Sequence, residues 1–136
     1  MELTKYQITI AGLCETRWKG SGEKTSGSHH YIWSGPNDGR GLHGVALAVP
    51  IHLKSSIISW KPVSGRLLTA RLNHRHGKMS VIVAYAPTEI APDNIKDQFY
   101  DQLQSLIQAT PTHDMTIVLT DANASIAADT RDPTLP

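Results

Sequence analysis

The chain has almost no sulfur chemistry to offer. Its 136 residues include one cysteine, Cys14, which excludes an internal disulfide framework and any multi-cysteine zinc site. A lone thiol fits a reducing compartment, so the expectation is an intracellular protein, nuclear or cytoplasmic, and not a secreted one. No run approaches the roughly 18 consecutive apolar residues that a membrane helix needs. The opening "MELTKYQITI" also lacks the apolar centre of a signal peptide. A membrane partner is therefore not expected. The seven histidines include the pairs His29/His30 and His74/His76, but neither has the cysteine partners or the helical HExxH spacing of a zinc site.

Acids are missing from a long central stretch. Residues 39–88 carry Arg40, Lys54, Lys61, Arg66, Arg71, Arg75 and Lys78 and no aspartate or glutamate, although the whole chain has a net charge of only +1. Residues 89–136 hold eight acids against Lys96 and Arg131. Such asymmetry suits a face that meets a polyanion. Scattered solvated residues on separate strands would give the same count, and both readings stay open.

What remains is ordinary for one globular domain: 40% hydrophobic and 18% charged residues. No repeat or linker divides it. The expected domain covers 1–136, with a core over 6–128 and a coil tail over 129–136. "YQITIAGL", "YIW", "GVALAV", "SIISW", "RLLTARL", "MSVIVAY" and "MTIVLT" have the β-branched content and bounding turns of short strands. "RLLTARL" and "MSVIVAY" pair as an antiparallel ribbon with His74 to Lys78 at its turn. The Gly/Ser-rich "KGSGEKTSGSHH" is expected to be loop. Residues 94–109 form one helix, with Ile95, Phe99, Leu103, Leu106 and Ile107 as its apolar stripe. Pro92 and Asp93 mark its start and Pro111 its exit. Beyond Asn123 no strong pattern is visible.

Two of these strands end on acids, "ITIAGLC" at Glu15 and "MTIVLT" at Asp121. If both lie in one sheet and run the same way, their carboxylates emerge at one edge, where ligands of α/β proteins gather. Asn123, two residues after Asp121, projects to the same side in extended chain. Two carboxylates and an amide suit a hard cation such as Mg2+. A strand exit also carries Asp or Asn simply as a turn former, so spacing by itself leaves both readings open.

"CETRW", "VIVAYAPT" and "TDANA" follow one another in an order that resembles the endonuclease/exonuclease/phosphatase superfamily. "ETRWKGSGE", "YIWSG", "HGVALAV", "ISWKPVSGRLLTARL", "HGKMSVIVAYAPT" and "FYDQLQSLI" sharpen the likeness. They are similar to the endonuclease domain of non-LTR retrotransposons and the related craniofacial development protein 2-like sequences. The resemblance covers about residues 6–128. It implies part of a four-layer α/β (α+β) sandwich of the DNase-like fold, with mixed or antiparallel sheets and a flanking helix.

It also implies Mg2+-dependent hydrolysis of DNA, with Mn2+ as a possible substitute ion. Glu15 corresponds to the metal-binding glutamate and Tyr85 to a tyrosine at the scissile phosphate. Asp121 corresponds to the aspartate that activates water, and Asn123 to an asparagine that polarises the phosphate. Arg17, Arg66, Arg71 and Arg75 are candidates for contact with the DNA backbone. Three departures temper the activity. The chain starts just before the family's second strand. "TDANA" stands where the family has Gly-Asp-Phe-Asn. No histidine follows His113, where the family ends on an Asp-His pair. A fragment truncated at both ends, with impaired or absent catalysis, is therefore expected. The alternative is a non-catalytic nucleic-acid binder or a remnant without function.

Overall fold

The computed structural model describes residues 9–16, 18, 20–35, 44–75, 77–120 and 124–127. Among these, two β-sheets lie face to face and one helix covers the far side of the second. The first sheet holds β1 (Thr9–Cys14), β2 (Ser21–Ser26), β3 (His29–Ser34), β4 (Val45–Pro50) and β9 (Ala124–Ala127) in the order β2-β3-β4-β1-β9. Every pairing in it is antiparallel. The second sheet holds β5 (Ile57–Ser64), β6 (Leu67–His74), β7 (Gly77–Ala84) and β8 (Met115–Thr120) in the order β5-β6-β7-β8. There β7 and β8 run parallel. A parallel pair needs a crossover, and α1 (Asp93–Gln108) supplies it. This is the mixed α+β sandwich that the motifs imply.

Side-chain alternation explains the layering. Leu68, Ala70 and Leu72 of β6 and Met79, Val81 and Val83 of β7 are buried against Ile10, Ile32, Val45, Leu47 and Val49 of the first sheet. The residues between them, Leu67, Ile82 and Ala84, face outward and meet Phe99 of α1, with Leu103 and Leu106 partly buried beside it. Most of β7 is thus buried on both faces, because each face has a layer to bury against. Phe99, the chain's one phenylalanine, is the buried residue of α1. The helix stripe is narrower than its spacing implies, since Ile95 and Ile107 remain about 40% exposed at its ends.

The β6–β7 hairpin pairs Leu67 with Ala84 at one end and His74 with Gly77 at the other, as the sequence pattern implies. Two elements differ from expectation. The polar segment after Gly20 is strand β2, not loop, and pairs with β3 from Ser21↔Ser34 to Ser26↔His29. An edge strand is held by backbone hydrogen bonds and needs no apolar face, so composition hid it; Lys24 on it also discourages pairing with another chain. Likewise β9, only four residues long, pairs with β1 at the opposite edge. A 3-10 helix, Ile51–Ser56, links the sheets and left no periodic signal. Among the described residues, no helix is long and apolar enough to cross a membrane.

Candidate functional site

The two acid-bearing strand ends do not share a sheet. β1 belongs to the first and β8 to the second, because each strand is held by a different partner. The sheets nonetheless stack so that these ends converge. A Cβ on Gly12 would lie 3.0 Å from Leu119 Cβ and 3.4 Å from Val83 Cγ1, so glycine lets β1 press directly onto β7 and β8. In sheet registers, Cys14 pairs with Val45, which pairs with Ser34. Ala84 pairs with both Leu67 and Thr120. One rim of the sandwich therefore collects the exits of β1, β3, β7 and β8, the entry of β4, and the β5–β6 turn.

Hydrogen bonds between the sheets lock this rim. Gly44 N–H donates to Gly65 O at 2.9 Å, and Thr16 N–H donates to Gly44 O at 3.3 Å. Ser34 Oγ donates to Ser64 O at 2.6 Å, and Ser64 Oγ accepts from Arg66 N–H at 3.1 Å. Glu15, the first residue beyond β1, sits in this frame with φ 55°, the one described non-glycine residue in the left-handed region. An L-residue there costs roughly 1–2 kcal/mol. Such conformations persist where the surroundings over-determine them, and they cluster at functional sites.

The Glu15 carboxylate is exposed and accepts a hydrogen bond from the Tyr85 hydroxyl. Tyr85 is fixed by the neighbouring strand. Its N–H donates to Arg66 O at 2.9 Å, and Arg66 Nη1 donates back to Tyr85 O at 3.1 Å. The guanidinium carbon lies 5.2 Å from the centre of the phenol ring, within cation–π range. Partial burial is the main cause that raises the Tyr85 pKa above its ordinary value. The negative charge of Glu15 and its hydrogen bond add to the rise, and Arg66 opposes it. At neutral pH the phenol is therefore a proton donor. Next to Glu15 in the chain, Thr16 Oγ1 is buried with no hydrogen-bond partner among the described residues.

The structure thus gathers Glu15, Tyr85 and Arg66, and it separates the other described candidates from them. Arg71 is spent elsewhere: its Nε and Nη2 donate to the two oxygens of Asp114 at 2.8 and 2.9 Å, and Ser80 Oγ donates to the same carboxylate at 2.8 Å. Arg75 lies in the β6–β7 turn, roughly 30 Å from Arg66 at about 3.3 Å rise per residue. Lys61 is on β5 and Lys78 on β7 near that distant turn. By strand register Lys61, Arg71 and Lys78 share the outer face of the second sheet, whereas Arg66 stands at the rim. Arg17, Asp121 and Asn123 lie outside the described residues, although β8 reaches the rim at Thr120. Sequence reasoning missed Thr16 and the serine–glycine lock, since an isolated hydroxyl or glycine carries no pattern.

Among the described residues, no group of three or more His, Cys, Asp or Glu side chains is gathered to hold a metal ion. Glu15 offers the rim a carboxylate. An exposed carboxylate, a phenol donor and a guanidinium at one strained, rigid edge can bind and orient an oxyanion, with room for a cation on the carboxylate.

No family model matches the chain. Over 127 residues it is 32% identical to craniofacial development protein 2 of Bos taurus, an alignment covering 93% of the chain and 21% of that protein. The same protein of Tragulus javanicus is 31% identical over 127 residues, with 93% and 22% covered. The chain spans about a fifth of the length of the curated relatives it matches. Along nearly its whole length the chain is similar to a segment of craniofacial development protein 2.

Proposed function

We propose that the rim of Glu15, Tyr85 and Arg66 handles the phosphate in a DNA endonuclease segment of the non-LTR retrotransposon type, a Mg2+-assisted phosphodiester hydrolase. One observation carries the reading. Glu15 is held in a costly backbone conformation, φ 55°, with its carboxylate exposed and touching a tyrosine that is itself clamped by Arg66. The homology supports the class of protein, and the resemblance of the motifs supports the reaction.

One described side chain, the Glu15 carboxylate, suits the ion. Mg2+ takes one or two carboxylates and fills the rest of its shell with water and phosphate oxygens. Glu15 would hold it, with Asp121 and Asn123 as the expected companions. When bound, the cation neutralises charge on the phosphate. The chain's own residues bind and orient. With Glu15 turned to a cation, the Tyr85 hydroxyl, kept protonated, would be freed to donate its one proton to a phosphate oxygen, and the Arg66 guanidinium steadies the ring while adding positive charge. Among the described residues no histidine stands at this rim. Binding with slow hydrolysis is the behaviour proposed.

Nicking of supercoiled plasmid tests the reading. Slow nicking in Mg2+, abolished by EDTA and by Glu15→Ala and reduced by Tyr85→Phe, is the expected result. Nicking that persists in EDTA or in Glu15→Ala would overturn it. Salt-sensitive DNA binding that ignores both Mg2+ and Glu15 would instead favour a non-catalytic binder.

A further inference from the structure

We propose that Trp18, braced by Tyr31 and Trp33 and accompanied by Lys24, is a stacking platform for an unpaired nucleobase of single-stranded DNA beside the rim. For its location and its partner the inference rests on the phosphate reading above. Trp18 follows Glu15 by three positions and is 39% exposed, among the more open large apolar side chains described. Its ring meets Tyr31 edge-to-face at 6.0 Å between centroids and Trp33 at 5.3 Å. An exposed indole held by two further rings is a rigid π surface, and every base has a π face to lay on it.

The local backbone is shaped for this arrangement. Gly22 is opposite Trp33 in the β2–β3 register, and a Cβ there would lie 2.9 Å from Trp33 Cζ2. Glycine thus lets the Trp33 ring lie flat over β2. A Cβ on Gly35 would overlap the Trp18 carbonyl oxygen and lie 2.8 Å from that of Gly20. The segment bearing Trp18 is therefore pressed onto the exit of β3. Charge favours a polyanion. Lys24 is opposite Tyr31, and Ser26 is opposite His29, so this face of the hairpin carries a cation and an imidazole. Glu23, the hairpin's acid, points to the other face, where its Oε1 accepts from the His30 ring at 2.9 Å.

The test is direct binding in EDTA, which separates the platform from hydrolysis at the rim. The probes are a labelled oligothymidylate of about 12 nucleotides, within the site sizes typical of single-strand binders, and an abasic oligomer with the same number of phosphates. The wild-type protein should bind the base-bearing oligomer about tenfold more tightly than the abasic one, with quenching of tryptophan fluorescence. Trp18→Ala should erase that difference, Trp18→Phe should restore most of it, and Lys24→Ala should weaken both oligomers and flatten the salt dependence. Equal affinity of the wild-type protein for the two oligomers, or no binding of either, would overturn the proposal whether or not Trp18→Ala folds. A Trp18→Ala variant that folds and keeps the preference would overturn it too. Failure to nick plasmid in Mg2+ would count against the rim chemistry and leave this result standing.

Discussion

Replacing Glu15 by glycine should relieve the backbone where alanine does not, with the same effect on the chemistry. Either change removes the carboxylate that Tyr85 holds, at a cost of about 1 kcal/mol for a hydrogen bond near the surface. Alanine keeps the left-handed strain that φ 55° imposes, whereas glycine adopts that region freely. A side chain at positive φ costs roughly 1 kcal/mol more than glycine even after the extra entropy of unfolded glycine is counted. Glu15→Ala should therefore be about 1 kcal/mol less stable than wild type, and Glu15→Gly close to wild type. In a domain of this size the gap between the two variants is about 4 °C in Tm. Paired urea and thermal melts followed by circular dichroism measure it. Equal stability of the two variants would refute the claim that the rim holds Glu15 in a strained conformation. A glycine variant less stable than the alanine variant would refute it more strongly.

Acid should weaken the protein through Asp114. Hydrogen bonds from Arg71 are the main cause that lowers the Asp114 pKa from 3.8 to about 2, with help from Ser80 and against the effect of burial. A lowered carboxylate pKa stabilises the fold above the unfolded value and loses that contribution as pH falls through the folded one. Urea midpoints should therefore drop between about pH 4 and pH 2, and Asp114→Asn should flatten that part of the curve. Ultraviolet titration should show the Tyr85 phenol ionising above the ordinary tyrosine value of about 10, and Glu15→Gln should bring it down by removing the adjacent charge. Phe99→Ala should cost about 3–5 kcal/mol, lowering Tm by more than about 10 °C, because that ring is the buried anchor of α1 on the second sheet.

The sequence made the strongly patterned parts legible. β6 and β7 are apolar-rich, largely buried runs bounded by turn signals, and α1 has proline at both ends, so their bounds and the hairpin between them followed from local rules. β2 and β9 were hidden because what defines them is a neighbour's free backbone edge, which composition does not report. The assumption that Glu15 and Asp121 leave a single sheet failed for a related reason. Strand ends can converge through stacking as well as through pairing, and Gly12, which permits that stacking, reads from sequence only as a strand boundary. Glu15 and Tyr85 were visible through their motifs. The role of Arg66 as a clamp on Tyr85 was not, since a side-chain bond to a backbone carbonyl 19 positions away leaves no sequence pattern. Arg71 looked available for DNA because its partner Asp114 is 43 positions away in the chain.

The claim that Glu15 holds a cation against a DNA phosphate is tested most directly by Mn2+ binding, followed by electron paramagnetic resonance, in the presence of a hydrolysis-resistant phosphorothioate oligonucleotide. The account predicts bound Mn2+ in the wild-type protein, strengthened by the oligonucleotide, displaced by Mg2+ and lost in Glu15→Gln. Undiminished Mn2+ binding in Glu15→Gln, or a wild-type protein that binds the oligonucleotide equally well with and without the ion, would contradict it.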